Sequence, residues 1–223
     1  MANKLLFIGA LGFFFLAAAA TLVSDMHGMG DLFISSLQVK NLPLNPAQIY
    51  AAPYNIAGRF GEPLLILSIA LVVAGLWGCW QKYHIPVALF AMIIGCLYIL
   101  ERVFWSYVTV NFANSIMAYS SITDYTVLSR AGLLKGIGAL LGGLIGGFGF
   151  TSALTLLFLR IHNPYGIAGG LIVLATMLIG MPAKLYFMDH VSPVVLTIFI
   201  LSMVIKNFGI VFMGVGLITE SFK

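Results

Sequence analysis

The chain has 223 residues, 61% of them hydrophobic and 8% charged, with a mean hydropathy of +1.06. A soluble domain carries about 25% charged residues, so this composition argues against a water-soluble globule and points to hydrocarbon as the solvent for much of the surface. The formal charge is +4, but most of the eleven Lys and Arg are scattered over loops and helix ends. That pattern argues against a nucleic-acid surface and fits interfacial anchors and contacts with anionic lipid.

The expected architecture is an all-α integral membrane protein. It forms one multi-spanning domain over residues 1–223, a bundle of about six transmembrane helices with short loops and one longer loop between the first two. The first span is expected over residues 5–23, long enough for a hydrocarbon core of about 30 Å. Its outline, Lys4 followed by Leu5–Leu16 and then Ala17–Ala20, resembles a secretory signal; we read it as a retained membrane helix. The longest polar segment follows, Ser24–Gly61, with Pro43, Pro46 and Pro53 in a turn-rich stretch and room for a short interfacial helix near Asp31.

The second span, residues 63–80, opens at Pro63 directly after Glu62, and the third, residues 86–107, opens at Pro86; proline suits the first helical position. Trp105 and Tyr107 mark the level of the membrane interface. Beyond them Val108, Phe112, Ile116 and Tyr119 recur at spacings of four and three, which predicts that the helix continues. The fourth span is expected over residues 131–159 and the fifth over 167–182, ended by Pro182 and Lys184. The sixth covers residues 194–218.

An even number of spans puts both termini on one side. Lys4, Lys82, Arg160 and Lys223 then share a side, against Lys40, Arg59, Arg130 and Lys184, with Arg102 and Lys135 near that edge. The Lys/Arg tally does not decide the orientation. Cytoplasmic termini are preferred because the first segment resembles a signal anchor, and a bacterial inner membrane or its equivalent is the expected location.

Three features stand out against this background. Lys206 sits at the centre of the sixth apolar run, where a cation is costly by about 2.5–3.5 kcal/mol on insertion scales and normally faces protein or water. The carboxylate inside an apolar run is Glu101, beside Arg102, about 22 Å along the third span from Pro86. A Glu101–Lys206 pair is one expectation; the alternative is that Glu101 pairs with Arg102 or Arg130.

The second feature is the fourth span, where Gly132, Gly136, Gly138, Gly142, Gly143, Gly146 and Gly147 form overlapping GxxxG pairs. Such a face lets another helix approach closely, within the chain or between subunits. The third feature is Asp25 and His27 after the first span, with Asp189 and His190 before the sixth. These are possible ligands for copper or another transition metal, although the blander reading is two interfacial histidines. No other cofactor is expected.

Cys79 and Cys96 read as small buried hydrophobes. HExxH, GxSxG, a phosphate loop and an EF-hand are all missing from the sequence, so no catalytic residues are assigned and no reaction is expected of the chain alone. The leading expectation is a non-catalytic integral subunit that scaffolds or joins a larger membrane complex, with other membrane proteins and lipid as partners. The alternatives are a small ion or solute transporter or channel using Glu101, Arg102 and Lys206, and a metal-bearing subunit of a membrane oxidoreductase.

Overall fold

A computed structural model describes residues 1–25, 57–118, 140–189 and 192–223. Six helices organise them: α1 (Ala2–Ala20), α2 (Glu62–Tyr83), α3 (Pro86–Ala118), α4 (Thr151–Arg160), α5 (Pro164–Asp189) and α6 (Pro193–Phe222). Stretches of wider π-helical winding extend three of them: Thr21–Asp25 after α1, Ala57–Gly61 before α2, and Gly143–Phe150 before α4. Among the described residues, five helical stretches are long and apolar enough to cross a membrane: Ala2–Val23, Arg59–Tyr83, Pro86–Tyr107, Leu140–Arg160 and Pro193–Phe222.

The helix boundaries follow from local chemistry. Proline opens α3, α5 and α6, where its missing N–H leaves no hydrogen bond unmade, and Pro63 sits in the first turn of α2. His84 and His162, both with φ 53°, take left-handed backbone at the ends of α2 and α4, the position glycine usually fills. The helix α3 continues past Trp105 to Ala118, in line with the spacing of Val108, Phe112 and Ile116.

The fifth helix differs from expectation. Pro182 does not end it; α5 runs on to Asp189 with the proline inside. Within an apolar environment an interior proline is tolerated when packing against neighbouring helices holds the segment, and α5 is packed along α6. Its apolar part, Pro164–Gly180, is shorter than the other five stretches, about 25 Å long at 1.5 Å per residue.

Each helix packs against its neighbours in chain order, and α6 returns to pack on α1. Neighbours are antiparallel. The start of α1, the α2–α3 and α4–α5 turns and the end of α6 therefore gather at one end of the bundle, called the terminal end below. The starts of α2 and α6 and the Leu140 end of the fourth stretch lie at the opposite, distal end. The larger of two apolar clusters among the described residues fills the interior. It joins Leu6, Ala10 and Phe13 of α1 to Ile69, Val72 and Leu76 of α2, to Leu154 and Leu157 of α4, and to Met213 and Leu217 of α6.

Two of the helix pairs touch backbone to backbone. A Cβ built on Gly9 would lie 2.5 Å from the Cα of Gly75, and one on Gly169 2.5 Å from the carbonyl oxygen of Gly209. The outer faces are apolar: Phe90, Ile93, Leu100 and Phe104 on α3, and Leu201, Val204 and Phe208 on α6, are exposed.

Candidate functional site

The buried charged side chains among the described residues, Glu62, Arg102 and Glu220, lie at the two ends of the bundle. At the distal end, Glu62 occupies the first turn of α2, directly after the π-helical stretch Ala57–Gly61. Its side chain turns inward and is fully buried. Glu101 and Arg102 lie 15 and 16 residues after Pro86, about 23 Å along α3. Because α3 runs antiparallel to α2, that distance brings them level with Glu62.

Arg102 grips Glu101 with two hydrogen bonds, Nε to Oε2 at 2.6 Å and Nη2 to Oε1 at 2.5 Å. Its remaining terminal nitrogen, Nη1, donates to Glu62 Oε1 at 3.3 Å. Two-point donation to one carboxylate is the strong arrangement; the single long contact to Glu62 is weaker. One helical turn earlier, the ring of Tyr98 lies 5.7 Å from the guanidinium carbon, within cation–π range.

The fourth stretch closes this cluster with bare backbone. A Cβ on Gly142 would sit 2.5 Å from Arg102 Nη2 and 3.3 Å from Glu101 Oε1, and one on Gly146 would overlap the Tyr98 ring. Two carboxylates face one guanidinium, so with all three ionised the cluster carries a formal charge of −1. Glu62 Oε2 is buried and has no hydrogen-bond partner among the described residues.

The terminal end holds a different arrangement. Glu220, buried near the end of α6, accepts hydrogen bonds from the Tyr83 hydroxyl, from Asn163 Nδ2 at 2.6 Å and from Lys223 Nζ at 2.7 Å. Lys82 Nζ donates to the Glu220 carbonyl at 2.7 Å and to Asn3 Oδ1 at 3.2 Å. Asn163, in the α4–α5 turn, also reaches the Gly216 carbonyl and Thr219 Oγ1, and its Oδ1 accepts from Gly166 N–H at 2.9 Å. One residue thus ties the turn to the last helix. Replacing Asn163 by Ala leaves several of these buried groups unpaired and is expected to destabilise the fold by about 2–3 kcal/mol. Thermal unfolding in detergent should then show a melting temperature lower by about 5–10 °C, with Asn163→Asp falling at least as far, because its second oxygen replaces the amide donor 2.6 Å from the buried Glu220 carboxylate.

The residues singled out in the sequence are distributed as follows. Both oxygens of Glu101 bond to Arg102, its neighbour on the same helix, and Glu62 joins them; the partner expected from Lys206 is not the one that occupies Glu101. Lys206 is half-buried midway along α6, and the adjacent Asn207 Nδ2 donates to Thr21 Oγ1 at 2.9 Å, which fastens α6 to the end of α1. Gly142 and Gly146 pack on α3 and Gly147 on Met177 of α5, so these glycines serve contacts within the chain. Gly143 lies in the π-helical stretch, while Gly132, Gly136 and Gly138 fall outside the described residues. Asp25 and Asp189 end their helical stretches at the distal end; His27 and His190 fall outside the described residues. No group of three or more His, Cys, Asp or Glu side chains occurs among the described residues.

Glu62 and Asn163 were not singled out as functional residues by their sequence context. Glu62 reads there as the residue before a helix-opening proline, and Asn163 as a turn residue. A signal for Glu62 did exist: antiparallel spans that start at Glu62 and Pro86 bring positions 62 and 102 to similar depth. Compared with protein-family models, curated proteins and solved structures, the chain matches none. Its function is therefore argued from this geometry alone.

Proposed function

We propose that the chain is an integral membrane protein of six spans, with Pro164–Gly180 of α5 as the fifth, and that it acts as a non-catalytic subunit joining other membrane proteins into a complex. The observation that carries this reading is the continuous apolar core. Residues such as Phe13, Ile69, Leu76, Leu154, Leu157 and Met213 are at most 2% exposed and fill the space between the two polar clusters. The charged groups that meet at the ends of this core, Glu62, Glu101 and Arg102 at one and Glu220 at the other, support a role in holding the helices in register rather than in lining a route between them. The broad apolar outer faces of α3 and α6 leave area for lipid and for neighbouring helices.

Native mass measurement of gently solubilised protein tests this directly. A complex with other membrane chains is expected, and a stable lone monomer would overturn the reading. Lys206→Met is expected to reduce assembly by about tenfold, which corresponds to removal of about 1.4 kcal/mol of contact energy, while leaving the monomer's helix content unchanged. We assign the terminal end, which carries Lys4, Lys82, Arg160 and Lys223, to the cytoplasmic side because the first helix resembles a signal anchor.

A second reading, a small ion transporter, draws on the meeting of Glu101 and Arg102 with Glu62 in one buried cluster. It predicts ion flux in reconstituted vesicles that Lys206→Met abolishes with assembly intact.

A further inference from the structure

We propose that the Glu62–Glu101–Arg102 cluster is a binding site for one monovalent cation, a proton or an alkali-metal ion, taken up at Glu62 Oε2. The proposal does not depend on the subunit reading; it rests on the charge and the hydrogen bonds of the cluster.

Arg102 is committed to Glu101. Two of its three nitrogens form the short bidentate pair, and only Nη1 reaches Glu62, at 3.3 Å and to one oxygen. Glu62 is thus the carboxylate whose charge is left over. Its second oxygen is fully buried and has no donor among the described residues. An ionised oxygen withdrawn from water without a partner is strongly disfavoured, and the penalty falls once a positive charge joins it. With that charge bound, the cluster is neutral.

The surroundings provide no second cation among the described residues. From α3, Arg102, Glu101 and Tyr98 face the site; from the fourth stretch, the backbone of Gly142 does; from the end of α1, Leu22 and Val23 pack on the adjoining Gly61. Access is short. Arg59 and Phe60, three and two residues upstream, are exposed, so Glu62 lies within one helical turn of the distal surface.

The test is thermal unfolding of the purified full chain in detergent. One series varies pH from 5 to 8 with choline as the only added cation; another varies Na⁺ or K⁺ at fixed pH and ionic strength. A bound proton means that the native state holds one proton more than the unfolded chain. Stability must then fall as pH rises, by about 3–5 °C in melting temperature per pH unit. A bound alkali ion instead raises the melting temperature by a similar amount, about 3–5 °C per tenfold increase in its concentration. Either dependence should vanish in Glu62→Gln. Indifference of the wild type to both variables, or a dependence that survives in Glu62→Gln, would overturn the proposal.

Should Glu62→Gln fail to fold, carbodiimide labelling of the wild type replaces it. A hydrophobic carbodiimide is expected to modify Glu62, as mapped by peptide mass, with labelling that declines as pH rises or as Na⁺ is added. Labelling of Glu62 that is absent, or insensitive to both, rejects the site.

Discussion

Arg102→Met is expected to be the most damaging single substitution in the polar network. It removes the one guanidinium shared by Glu62 and Glu101 and leaves two buried carboxylates within a few ångströms of each other. Breaking a buried ion pair from one side typically destabilises by about 3–5 kcal/mol, because the abandoned charge has no water to return to. For a chain of this size the melting temperature should fall by about 10 °C or more, and the yield of monodisperse protein should drop with it. The decisive control is the triple variant Glu62→Gln/Glu101→Gln/Arg102→Met. It removes every charge at once and should recover most of the lost stability, since a buried ion cluster is often replaceable by neutral groups of similar volume. Failure of the triple variant to recover would mean that Arg102 acts through its packing against Tyr98 and Gly142 and not through charge.

The second large effect is expected at the α1–α2 crossing. Gly9 and Gly75 meet so closely that any Cβ on either would lie 2.5–2.6 Å from the Cα of the other, and the obstacle is backbone, which cannot rotate away. Gly12 and Gly78 extend the same seam, against the backbone of Val72 and the carbonyl of Ala2. Gly9→Leu or Gly75→Leu must push the two helices apart along this seam, so the loss should reach or exceed the upper end of the usual overpacking penalty, about 3 kcal/mol. Loss of the α1–α2 contact can be read by a disulfide engineered between cysteines placed across the seam: it should form readily in the parent chain and poorly in either leucine variant. Gly147→Ala is the useful contrast. The atom in its way is the flexible end of Met177, which can move aside, so the change should be nearly silent.

Much of the scaffold could be read from the chain because apolar run length and proline placement are local properties. Pro63, Pro86 and Pro193 marked helix starts that the structure reproduces, and five stretches have the length and apolarity to cross a membrane. Pro182 misled for a physical reason: in isolation a proline ends a helix, but here packing along α6 keeps α5 intact through it. The glycines show the same limit. Spacing identified a close-packing face on the fourth stretch, yet it gave no hint that Gly142 would rest on the Arg102 guanidinium or that a backbone-to-backbone crossing would involve Gly9 and Gly75, which belong to no dense glycine run. Glu62 was hidden because its neighbours advertise a helix start, and its burial depends on the antiparallel register of α2 and α3, which composition does not encode. Lys206 drew notice for its isolation in the sequence, but the charges that meet in the described core are those nearer the helix ends.

Lys82 bonds the side chain of Asn3 and the backbone of Glu220 at once, which holds the first turn of α1 beside the last turn of α6. The two extremities of the chain are therefore neighbours, so reporters fused to either would emerge side by side on one face. A short peptide could join them into an uninterrupted loop of helices, and the chain could then be reopened at the α2–α3 turn without disturbing the order in which the helices pack.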